Sequence, residues 1–63
     1  MENNEAKQKA VELIEWFTER VGNSFFARQC AIKVCDEFIS NGTPKQLRFY
    51  KQVKKEAFYY GND

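Results

Sequence analysis

Cys30 and Cys35 are the only thiols in the chain, and the chain contains no histidine. A nucleophilic cysteine needs a neighbouring base or cation to lower its pKa, and neither thiol has one suggested by its sequence surroundings. A structural zinc site needs four nitrogen or sulfur ligands, which two cysteines without histidine do not supply. Five residues apart on a helix, the two thiols would point about 140° away from each other, too divergent to bridge within one chain. They read as reduced, buried small hydrophobes. Glu5, Glu12, Glu15 and Glu19, with Gln8, recur at helical spacing as a nearly continuous acidic stripe, the pattern of a solvated face rather than a pocket. Only three glycines are present, and no glycine-rich phosphate loop is among them. These residues predict a protein without catalytic residues, metal ligands or cofactor: a binding protein and not an enzyme.

The bases tell a different story. Residues 1–23 hold five acids and three bases, whereas residues 44–60 hold five bases and one acid, within a net charge of only +1. On a helical projection Lys45, Arg48, Lys51 and Lys55 fall within about 120° of one another. A helix presents charge to phosphates in this way, although the same face also serves simply to keep a protein in solution. Acids elsewhere cancel the overall field, so a nucleic-acid-binding regulator stands as the alternative reading and not the leading one. A helix-turn-helix reader fits poorly, because the second helix is too long for that motif. The run Arg48-Phe49-Tyr50-Lys51, and later Phe58-Tyr59-Tyr60, could stack on single-stranded bases, but alternation of core and surface positions explains both more simply. The acidic stripe could also face the basic face of a second copy and set the orientation of a dimer.

Aromatic residues carry the strongest signal. Six Phe, three Tyr and one Trp make ten rings in 63 residues, more than three short helices readily enclose. Trp16, Phe25, Phe26, Ile32, Phe49 and Tyr60 have no obvious place in a core built from one stripe per helix. Large exposed apolar patches mark interaction surfaces, and aromatics concentrate at interface centres. These six are therefore the expected interaction and dimer residues, and Lys45, Arg48, Lys51 and Lys55 the expected basic face.

The elements that must position these groups are legible from punctuation and periodicity. A first helix is predicted over 5–21, with Ala6, Ala10, Leu13, Ile14, Phe17 and Val21 on its inner face. Gly22-Asn23-Ser24 supplies a stop and then a cap, from Asn23 or Ser24. The second helix, 25–40, carries Ala27, Cys30, Ala31, Val34, Cys35 and Phe38 on one face and further apolar residues off it, which makes it the central element. Thr43-Pro44-Lys45-Gln46 places Thr at the N-cap, Pro in the first turn and Gln where it completes a capping box. The third helix then runs over 44–60, with Leu47, Tyr50, Val53, Ala57 and Phe58 inward. The expected fold is all-α: one domain over 1–63, a small three-helix bundle built on an antiparallel helical hairpin, with disordered ends. Because a 63-residue core is marginal alone, a homodimer is the expected state. No apolar run approaches the roughly 20 residues of a membrane span, so a cytoplasmic protein without membrane partners is expected.

The Glu-Trp-Phe-Thr-Glu-Arg stretch at 15–20, the Lys-Gln-Leu-Arg-Phe-Tyr-Lys-Gln stretch at 45–52 and the total length of 63 residues resemble the small early open-reading-frame proteins of lambdoid bacteriophages, encoded between the exonuclease and excisionase genes. The resemblance implies a helical, dimeric accessory protein in the cytoplasm of the host cell. Such a protein would bind a host or phage protein and modulate host physiology or phage development. It brings no catalytic or ligand residues that transfer to positions here.

Overall fold

The chain forms three helices in a computed structural model that describes residues 4–60: α1 (Asn4–Val21), α2 (Ser24–Asn41) and α3 (Pro44–Tyr59). Their bounds agree with the expected ones to within a residue. The expected disorder of the ends lies outside the described residues.

Local chemistry accounts for each boundary. Thr18 Oγ1 donates to the Ile14 carbonyl at 2.7 Å, and the Gly22 N–H closes α1 on the Thr18 carbonyl at 2.8 Å. Gly22 then takes φ +80°, the left-handed conformation that glycine tolerates best. Asn23, not Ser24, caps α2: its Oδ1 accepts from the Phe26 N–H at 3.1 Å. At the second joint Gly42 has an ordinary φ of −86°, and its N–H bonds the Phe38 carbonyl at 2.8 Å. Glycine is needed there for space, since a Cβ would lie 2.5 Å from the Phe38 carbonyl oxygen. The capping box of α3 is complete. The Gln46 N–H donates to Thr43 Oγ1 at 3.2 Å, and the Thr43 N–H donates to Gln46 Oε1 at 3.0 Å.

The three helices share one core of small side chains: Ala6, Ala10 and Ile14 from α1, Ala27, Ala31, Ile32 and Cys35 from α2, Val53 and Ala57 from α3. Five of these nine are alanines. Small residues at a crossing let helix axes approach closely, leaving little interior volume for rings. The Cα envelope of 33 × 27 × 14 Å is correspondingly thin. Leu13, Phe17, Phe49, Tyr50 and Tyr60 pack around the margin of this core. Three contacts show that α2 and α3 run antiparallel: Phe38 stacks on Tyr50 at 4.2 Å, Asp36 pairs with Lys54 at 2.6 Å, and Arg28 Nη1 donates to the Tyr60 carbonyl at 3.2 Å. Residue numbers rise along one helix as they fall along the other.

Two inward assignments are corrected. Val21 and Phe58 are 45% and 53% exposed. Val21 occupies the final turn of α1, and the inner row of α3 passes through Tyr50, Val53, Ala57 and Tyr60. Steps of three and four residues keep that row in line, and Phe58 falls about 100° away from Ala57.

Candidate functional site

Antiparallel packing of α2 and α3 gathers residues that are distant in sequence. The last residues of α3 lie beside the first turns of α2, as the Arg28–Tyr60 hydrogen bond shows, and α1 ends two residues before α2 begins. One end of the bundle is therefore built from the C-terminal turns of α1 and α3 and the N-terminal turn of α2. The large hydrophobic residues that remain exposed are Trp16, Val21, Phe25, Phe26, Phe58 and Tyr59. All of them belong to this end.

Two arginines are woven into it. The Arg20 guanidinium lies 3.6 Å from the centroid of the Trp16 ring, donates to the Trp16 carbonyl at 3.0 Å, and approaches Glu19 at 3.8 Å. Arg28 reaches to 6.0 Å from the Phe25 centroid while it holds the Tyr60 carbonyl. Trp16 meets Phe17 edge to face at 5.0 Å, and Phe25 meets Phe26 likewise at 5.6 Å. Each of these pairs is a neighbour in sequence, so the contacts leave Trp16, Phe25 and Phe26 about half exposed, while Phe17 also packs against the core. Beside Trp16 a depression of about 300 Å³ is lined by Glu12, Leu13, Trp16 and Phe17. Large rings combined with arginine are the residue types that dominate binding energy at protein interfaces.

Of the six interaction residues expected from the sequence, Trp16, Phe25 and Phe26 are about half exposed and share the aromatic end. Tyr60 is partly buried against the core at this end, whereas Phe49, also packed against the core, is corrected: it lies beside the Phe38–Tyr50 stack toward the opposite end, because α3 runs antiparallel to α2. Ile32 is corrected: at 8% exposure it is a core residue. The reason is the centrality of α2, which is covered by α1 on one side and α3 on another, so a residue well off its main stripe is still enclosed. Arg20 and Arg28 were not singled out by sequence, and Phe58 and Tyr59 were not among the expected interaction residues. A stricter reading of the α3 row, with Tyr60 inward, would have released Phe58.

The four basic residues Lys45, Arg48, Lys51 and Lys55 are all exposed. None has an acidic partner among the described residues, whereas Lys9, Arg20, Lys33 and Lys54 pair with Glu12, Glu19, Glu37 and Asp36. Phe49 and Tyr50, interleaved with this face in sequence, are turned away from it. They contact each other at 5.1 Å, and Tyr50 is stacked on Phe38. The acidic stripe of α1 is solvent-facing at Glu5, Gln8, Glu12, Glu15 and Glu19.

Among the described residues, no group of three His, Cys, Asp or Glu side chains gathers at metal-binding distance. Cys35 is buried, and burial first, with the nearby Asp36 carboxylate second, pushes its thiol up to about 11. It is protonated and inert as a nucleophile at neutral pH. Among the described residues, no helix is long and apolar enough to cross a membrane. No protein-family model, curated protein or solved structure matches the chain.

Proposed function

We propose that this chain is a non-enzymatic binding protein that self-associates into a homodimer through its aromatic end and uses protein–protein contacts to act on a larger partner. One observation carries the reading: Trp16, Phe25, Phe26, Phe58 and Tyr59, each 50–61% exposed, all lie in the helix turns that make up one end of the bundle. Burying a large ring removes apolar area worth about 2–3 kcal/mol, so several half-exposed rings at one end of the bundle form a strong driving force for association. The alanine-rich core supports the same reading, because the molecule has little interior into which these rings could retreat. The resemblance to lambdoid early proteins gives the proposal its setting, in which a phage accessory protein in the host cytoplasm modulates host or phage development by docking on a host or phage protein.

Sedimentation equilibrium combined with Trp16 fluorescence tests the association directly. Trp16 is the only tryptophan, so its emission reports on this end alone. The expected result is a mass that rises from one chain to two with concentration, accompanied by a blue shift. Trp16→Ala with Phe26→Ala should hold the protein at one chain. A mass of 7.5 kDa at every concentration, with unchanged emission, would refute self-association through this surface.

A further inference from the structure

We infer that the outer face of α3 is a second docking surface, made for the backbone of double-stranded DNA and adjoining the aromatic end at Tyr59. The charge of this molecule is segregated. Of the six other cations four are each within 4 Å of a carboxylate and Arg28 holds the Tyr60 carbonyl, so apart from Lys7 on α1 the exposed cations without a carboxylate partner among the described residues are Lys45, Arg48, Lys51 and Lys55. These four span about 15 Å along the helix and about 120° of its circumference. Gln52 and Tyr59 fall within the same arc. The single acid of α3, Glu56, lies just beyond its edge and is half-buried.

The chemistry of the face selects its occupant. A membrane-surface helix needs an apolar strip free to enter lipid, and the apolar side of α3 is already committed, with Val53 and Ala57 fully buried. A single strand needs ring faces on which bases can stack. Phe49 and Tyr50, the rings among the basic residues, are packed against the core and against each other, and the exposed rings of α3, Phe58 and Tyr59, lie beyond the stretch that the four cations span. A second copy's acidic stripe would offer only exposed ion pairs, each worth about 0–1 kcal/mol and screened by salt. Duplex DNA differs from all of these. Its phosphates carry condensed counterions whose release drives binding by isolated lysines and arginines, and its major groove, about 12 Å wide, admits a helix flanked by phosphates on both sides. The contact would be to phosphates, and so independent of base sequence.

Fluorescence anisotropy with a labelled mixed-sequence duplex, titrated at several salt concentrations, tests the inference. The matching single strand and a polyglutamate peptide serve as competing polyanions. With four phosphate contacts per chain, affinity should fall about a hundredfold between about 50 and 200 mM salt. Lys51→Glu with Lys55→Glu should reduce that to roughly tenfold by removing two contacts, and Lys51→Arg with Lys55→Arg should retain the original dependence. Melting curves of both variants should match the parent, since neither lysine makes an ion pair that the fold uses. The monomeric Trp16→Ala, Phe26→Ala protein should keep the same salt dependence per chain, so this result stands or falls apart from the self-association test. Absence of duplex binding at low salt would overturn the inference. So would equal or better binding of the single strand or of polyglutamate, or a salt dependence untouched by charge reversal.

Discussion

Gly22 sits at φ +80° with nothing within 4 Å of where a Cβ would be, whereas Gly42 has an ordinary φ and no room. A left-handed alanine is destabilised by about 1–2 kcal/mol, so Gly22→Ala should lower unfolding free energy by roughly that amount in a urea titration. Gly42→Ala should lower it further, because the obstructing atom is the Phe38 carbonyl oxygen, part of the helix backbone itself. An opposite ranking would contradict the geometry of the two joints. Cys35 gives a second test at this scale. Its thiol stands at about 11 in the folded chain against an ordinary 9.0, so the folded state holds the proton more tightly than the unfolded one. That contribution to stability is fully present below pH 9 and is lost as pH rises to about 11; two units correspond to roughly 3 kcal/mol. The stability difference between the parent and Cys35→Ala should therefore shrink over that window. Thiol labelling at neutral pH should modify the partly buried Cys30 before the buried Cys35.

At the scale of elements, α3 depends on a cap that the chain supplies entirely from its own first turn. Thr43→Ala removes the side-chain half of the capping box and should be destabilising by about 1 kcal/mol, within a range of 0.5–2. Circular dichroism during urea unfolding would register it, and an unchanged midpoint would show that tertiary packing alone holds the start of α3. The helices are otherwise held by their inner rows. Ile14 is fully buried and is the largest side chain at the centre, so Ile14→Ala should remove about 2–5 kcal/mol. For a 63-residue chain whose total stability is about 3–9 kcal/mol, that is enough to unfold a large fraction of the population. Placing α2 at the centre was possible from sequence, since its apolar residues go round more than one side. The consequence for Ile32 follows only when both neighbours are in place.

For the whole molecule, small alanines inside and large rings outside point to the same behaviour. Melting temperature should rise with protein concentration, because association at the aromatic end would couple to folding by mass action. The slope should vanish in the Trp16→Ala, Phe26→Ala protein, and a melting temperature independent of concentration in the parent would argue against the dimer. The candidate surface was visible in sequence at Trp16, Phe25 and Phe26, which flank the single turn between α1 and α2. Phe58 and Tyr59 join them only because α3 returns antiparallel to α2. The spacing of the basic residues was equally visible, but their lack of partners is a property of the assembled bundle.

What the chain determined by itself is local. Glycine at a left-handed turn, the Asn23 and Thr43 caps, Pro44 in a first turn and apolar residues at 3.6-residue spacing act through backbone dihedrals and hydrogen bonds spanning three or four residues. They need no distant partner, so the helices start and stop where their residues say. Tertiary structure decided how each helix is rotated and which sides are covered. That choice is non-local, because a ring is buried only if another helix leaves space above it. Alanine contacts brought the helices close and enclosed Ile32, and Phe58 and Tyr59 were left exposed because the row that α3 turns inward passes through Ala57 and Tyr60.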